Sequence, residues 1–192
     1  GLGDVYKRQL IMSVSKYIIP IGLMILAIST RFIPHIPNFT AVGSVALLGG
    51  FWMRGKGVFI VLPLLLLFLS DIALNVLFYK SISSISTLLY PGMGFVYTGH
   101  LAMIAWGNYL VKNPTKLGWL GHAAGANLVF FLLSNFGVWY GNPSIPQNIP
   151  GLFTAYAAAV PFYFSMLLGT VTYGAIMVLA LSKAMNSALV KN

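Results

Sequence analysis

From Val58 to Tyr79 the chain carries one charged side chain, Asp71, in a run centred on Leu64-Leu65-Leu66-Leu67. A helix of about 20 apolar residues matches the hydrocarbon thickness of a bilayer. This run is therefore predicted to cross a membrane. The rest of the chain fits that solvent. Only 7% of residues are charged, and the mean hydropathy is +0.87. A soluble domain carries about a quarter charged residues, so this chain could not cover a surface facing water.

Five more apolar segments flank the first: Tyr17 to Thr30, Phe39 to Met53, Phe95 to Val111, Leu117 to Tyr140 and Leu152 to Leu181. Helix-breaking stretches separate them, among them Pro34 and Pro37, Pro91-Gly92-Met93-Gly94, Lys112 to Lys116, and the Pro-rich loop from Gly141 to Pro150. The expected fold is all-α, an integral membrane bundle of about six transmembrane helices. The Phe39 to Met53 segment is short for a crossing. It is expected to be tilted, buried among other helices or partly re-entrant. Leu152 to Leu181 contains Pro161 and suits a kinked or tilted span.

The first residues are set apart. Asp4-Val5-Tyr6-Lys7-Arg8-Gln9 is the translation of a transposon end used in sequencing libraries, so residues 1–11 are expected to lie outside the fold, with Met12 as the start. Without them Asp71 is the chain's single acid. The domain is then one transmembrane unit, 12–192. Tyr17 to Thr30 ends in Arg31 and Pro34 with no small-residue cleavage pattern, so it reads as a retained span.

The net charge of +9 would suit nucleic acid, but the basic residues stand singly at the ends of apolar runs. Nucleic acid is excluded on that ground, and a multi-pass protein of the bacterial inner (plasma) membrane is expected, with lipid as its surroundings. If the N-terminus is cytoplasmic, that side receives Lys16, Arg54, Lys56, Lys112, Lys116, Lys183 and Lys191, against Arg31 and Lys80 outside. Both termini are therefore expected inside.

An ionisable group inside a span needs an interior position and a partner. Arg31, at the outer end of the first segment, is the expected partner of Asp71, and Asn75 lies one turn further on the same face. Other polar and aromatic residues fall in the same outer half: Asn38, Thr40, Tyr97, His100, Ser134, Asn135, Trp139, Tyr140, Tyr156 and Tyr163. The inner half offers Asn108, His122, Asn127 and Tyr173. Such an outer pocket would suit a small polar or aromatic solute, with Arg31, Asn38, Asp71, Asn75, Asn135 and Trp139 as candidate lining. Trp139 and Tyr140 equally suit an interfacial aromatic belt.

Close helix approach is expected at Ala46 and Gly50 and at the Gly121–Gly125 pair, by internal packing or docking onto a partner. The three histidines, His35, His100 and His122, form no metal spacing, and no metal or cofactor is expected. The chain has no cysteine, and no nucleophile elbow, paired carboxylates or phosphate loop. An enzyme is not expected. Any ATP-driven cycle would need separate membrane and ATPase partner subunits.

Three stretches carry a resemblance: Arg31-Phe32-Ile33-Pro34-His35-Ile36-Pro37-Asn38-Phe39-Thr40, Ser70-Asp71, and Ser134-Asn135-Phe136-Gly137-Val138-Trp139. With Ala157 to Phe164 they resemble an uncharacterised bacterial family of multispan proteins described as candidate transport proteins. That family is in turn similar, in size and span count, to the substrate-binding S components of energy-coupling-factor vitamin transporters. The resemblance implies capture of a small solute from outside and docking on a shared transmembrane and ATPase module. A structural membrane subunit that organises an envelope complex without a solute is the other expectation.

Overall fold

A computed structural model describes residues 17–52, 54, 57–79, 91–109 and 116–190. The expected leader 1–11, the polar stretch 80–87, Gly55-Lys56 and the turn 112–115 lie outside the described residues.

Among the described residues the chain forms six helices and no strand. They are α1 (Tyr17–Phe32), α2 (Val42–Trp52), α3 (Gly57–Leu74), α4 (Met93–Tyr109), α5 (Lys116–Gly141) and α6 (Ile149–Val190). The order and approximate bounds follow the apolar segments. By length and apolarity three helical stretches can cross a membrane, Val61–Phe78, Gly118–Gly141 and Ile149–Ala184, while α1 and α2 are shorter apolar helices.

Each terminus has a local cause. α1 tightens into a 3-10 turn over Ser29–Phe32 and ends where Ile33 becomes extended, as it must before Pro34. α3 widens into a π turn over Asn75–Tyr79. α6 continues through Pro161 without a break. At 1.5 Å per residue it is about 63 Å long, roughly twice the hydrocarbon thickness.

The short helix α2 lies at the centre. Every residue from Val42 to Gly50 is buried, so of the three sequence expectations for this segment the burial among other helices is what the fold shows. One core cluster joins Ala46 and Leu47 of α2 to Met103 and Ile104 of α4, Ala123 and Ala126 of α5, and Met166 of α6. A second joins Met24 and Ala27 of α1 to Val45 and Leu48 of α2 and Met177 of α6.

The α2–α4 crossing is a backbone contact. A Cβ on Gly50 would lie 2.0 Å from the Ile104 carbonyl oxygen, and one on Gly107 would lie 1.9 Å from that of Leu47. Only glycine permits this approach, and close contact of this kind gains dispersion energy along both backbones. Gly50 was legible as a packing residue. The Gly121–Gly125 pair is only half so: Gly125 sits against the Trp106 ring, whereas a Cβ on Gly121 would meet nothing.

Buried polar side chains tie α2, α5 and α6 together. Ser44 Oγ donates to the Thr170 carbonyl at 2.8 Å, Thr170 Oγ1 donates to Asn127 Oδ1 at 3.2 Å, and Asn127 Nδ2 donates to the Ala123 carbonyl at 2.7 Å. All three residues are fully buried. Such groups must be paired, since an unpaired one costs about 1–3 kcal/mol. At one end of the bundle Arg54 closes α4, its Nε donating to the Asn108 carbonyl at 2.7 Å, where a cation complements the negative end of the helix dipole. Arg31 lies at the opposite end.

Candidate functional site

The Arg31 end gathers the residues that the sequence placed in one half of the bundle. The 3-10 turn closing α1 delivers Arg31 beside the last full turns of α3. Its guanidinium lies 2.6 Å from Asp71 Oδ1 and also donates to the Ser70 hydroxyl and, at 3.5 Å, to the Leu67 carbonyl. Ser70 passes its own proton to the same carbonyl, at 2.7 Å. The second carboxylate oxygen, Oδ2, accepts from Tyr97 of α4 at 2.6 Å. Charge-assisted bonds of this length are the stronger kind. Arg31 and Asp71 are each about one-fifth exposed, 18% and 19%. The expected ion pair is therefore present, and Tyr97 extends it to a third helix.

Asn75 bonds differently from a lining residue. Its Nδ2 donates to the backbone carbonyl of Asp71 at 2.8 Å, at the start of the π turn. The side-chain amide thus caps a carbonyl of the preceding turn, where the helix passes into π geometry.

Next to the pair is a cavity of about 350 Å³. Arg31, His35, Asn38, Thr40, Asp71 and His100 supply its polar wall, and Leu67, Phe130 and Met166 are among its apolar residues. Asn38 holds a positive φ of 63°, which asparagine tolerates better than most residues, and this lets the chain turn inward from the Pro-rich segment to α2. His100 is buried. Its Nδ1 lies 2.9 Å from the Val96 carbonyl, and a carbonyl only accepts, so the proton sits on Nδ1. The ring also meets Phe130 edge to face at 4.4 Å. In the neutral tautomer Nε2 is then an acceptor.

A second cavity, of about 550 Å³, lies between α5 and α6. Asn135 and Ser134 line it, and Asn38, Val96, Phe130 and Met166 line both cavities. Asn135 was expected at the site and is found at this second volume, its Nδ2 bonded to the Phe131 carbonyl at 2.8 Å.

Trp139 lines neither cavity. Its Nε1 donates to the Pro146 carbonyl at 3.0 Å, and Gln147 donates back to the Trp139 carbonyl at 2.7 Å. Trp139 therefore fastens the Pro-rich loop onto α5. Its ring and that of Tyr140 pack against Phe136.

The structure thus brings Arg31, Asn38 and Asp71 to one cavity and Asn135 to its neighbour, with Asn75 and Trp139 in supporting positions. Among the described residues no group of histidine, cysteine and carboxylate is arranged to hold a metal. Sequence reasoning placed His35 and Thr40 without assigning them to the site. Their signal was proximity to Arg31 and Asn38 in the Pro-rich turn. Phe130 and Met166 carried no signal at all, since apolar residues in a span look alike.

An all-helical bundle with membrane-length apolar helices and a polar cavity at one end is the class these features define. Within that class the chain belongs to a family of unknown function (DUF6580), whose model matches residues 12–189. No curated protein and no solved structure matched the chain.

Proposed function

We propose that the chain is a six-span membrane protein with both termini in the cytoplasm, and that it binds a small solute in the cavity beside Arg31 and Asp71. The observation that carries this reading is the cavity itself. A bundle held only by packing would fill the space beside an ion pair. Here about 350 Å³ remains open against Arg31, Asn38, Asp71 and His100, close to the lower end of the volume typical of small-molecule sites. The loop charges support an outward orientation for this end, because the basic residues collect at the other. Transport in the manner of an S component, with membrane and ATPase partners, is the corresponding role in a bacterial plasma membrane. Catalysis is not part of the proposal.

One observation favours the other reading, a structural subunit that binds no solute. Both carboxylate oxygens of Asp71 have partners, Arg31 and Tyr97, as they would in a tie between helices. A thermal-shift screen of the solubilised protein against vitamins and small polar metabolites separates the two. A ligand that binds only the folded state raises the melting temperature. Solute binding requires a compound that stabilises the parent and does not stabilise folded Asp71→Asn. If no compound shifts the parent and Asp71→Asn only melts earlier, the structural reading holds.

A further inference from the structure

The polar cavity is balanced in charge. Arg31 and Asp71 are its charged lining residues, and they neutralise each other at 2.6 Å. What it offers an occupant is hydrogen bonding from neutral groups, with Asn38, Thr40 and His100 on the wall. A net charge placed there would lack a counter-ion, and burying an unpaired charge is costly. A hydroxyl or amide is the complementary group.

The neighbouring cavity has the opposite character. Besides Asn38, which it shares with the polar cavity, its polar side chains are bonded to helix carbonyls: Ser134 Oγ to the Phe131 carbonyl at 3.4 Å, Asn135 Nδ2 to the same carbonyl at 2.8 Å, and, across from α6 to α5, Tyr163 OH to that of Ala124 at 3.3 Å. Aromatic rings, alanines and Met166 make up much of the remaining wall. Two of its lining residues, Val138 of α5 and Phe162 of α6, are 47% and 46% exposed, so the cavity borders the outer surface of these two helices. In a bilayer that side meets acyl chains. The partition between the two cavities includes Phe130, whose ring rests on Gly99, where a Cβ would come within 2.8 Å, and the unbranched side chain of Met166, which adapts readily.

We infer that the occupant is an amphiphile with one neutral hydrogen-bonding head and one hydrocarbon tail, its head beside Arg31 and Asp71 and its tail between α5 and α6, reached from the lipid. This rests on the reading of the polar cavity as a binding site and specifies the class of molecule it takes.

The test uses the full chain in phosphatidylcholine nanodiscs and a 1-monoacylglycerol carrying a diazirine in its tail. After irradiation, mass spectrometry locates the label. The expected result is labelling of α5 and α6 residues at the second cavity, removed by excess unlabelled monoacylglycerol and untouched by glycerol. Ala159→Trp, which fills the cavity from a buried position, should reduce that label about tenfold. Ala158→Trp at an exposed lining position serves the same purpose with less risk to folding. Label spread evenly over lipid-facing residues such as Leu168 and Leu179, or unchanged in both variants, overturns the proposal. A water-soluble compound from the thermal-shift panel that stabilises the parent and both tryptophan variants equally would leave the polar site standing and remove the tail from it.

Discussion

At the Arg31 end, α1, α3 and α4 meet through a guanidinium, a carboxylate and a phenol around open volume; at the α2–α4 crossing two helices meet backbone to backbone with no room for a methyl group. The crossing resists change in volume, because a hypothetical Cβ at Gly50 or Gly107 falls about 2 Å from a carbonyl oxygen. The Arg31 end tolerates changes in volume and resists changes in charge. Rigid packing of the first kind holds the second kind of site in place. Polar residues within this helical bundle thus fall into two groups: those such as Ser44, Asn127 and Thr170, which bond one another and the backbone in a filled core, and those such as Asn38 and His100, which line a cavity.

The largest effect should come from breaking the ion pair on one side only. Asp71→Ala leaves Arg31 largely buried without its counter-charge and should cost about 3–5 kcal/mol, read as a large fall in melting temperature in detergent. An unchanged melting temperature would mean that the pair is exposed to water and holds nothing. Next is Gly107→Ala, which forces α2 and α4 apart and should cost about 3 kcal/mol. If it melts like the parent, the backbone contact is looser than described and the contrast between the two regions fails. Thr170→Val removes the donor to Asn127 Oδ1 and should cost about 2 kcal/mol, the penalty of one buried unpaired acceptor. It should leave any ligand response intact, which sharpens the distinction between saturated and cavity-facing polar residues. Trp139→Phe removes the bond to the Pro146 carbonyl at a surface loop. It should cost about 1 kcal/mol or less and raise protease sensitivity between Gly141 and Pro150 without altering the ion pair.

Much of the fold was legible because the solvent dictates it. Charge-poor runs separated by Pro, Gly and Lys mark the helices, and a lone acid in such a run demands a partner, which the placement of Arg31 supplied. The shortness of α2 left it tilted, buried or partly re-entrant, and the structure shows the burial. Other features depend on tertiary geometry that no local pattern encodes. Ser44 and Thr170 are far apart in the sequence and meet only after α2 is enclosed by α5 and α6. Gly107 was one glycine among many until Leu47 was placed opposite it. Asn75 read as a lining residue because the i+4 rule puts it on the face of Asp71, and its amide is instead set against the Asp71 carbonyl. Trp139 lay near a Pro-rich loop whose carbonyls could not be placed in advance. The cavities are the least legible feature, since a sequence records side chains and not the space they leave.

The most direct test removes both charges together. Arg31→Gln combined with Asp71→Asn replaces both ions by neutral hydrogen-bonding amides, the second of the same size as the carboxylate, and leaves no uncompensated charge, so the protein should remain folded. Equilibrium binding of whichever compound or amphiphile stabilises the parent should then be measured on both proteins. Binding reduced about tenfold or more in a folded double variant is the predicted result. Equal binding by the two would show that the pair does not hold the ligand and contradict the assignment of Arg31 and Asp71 as binding residues.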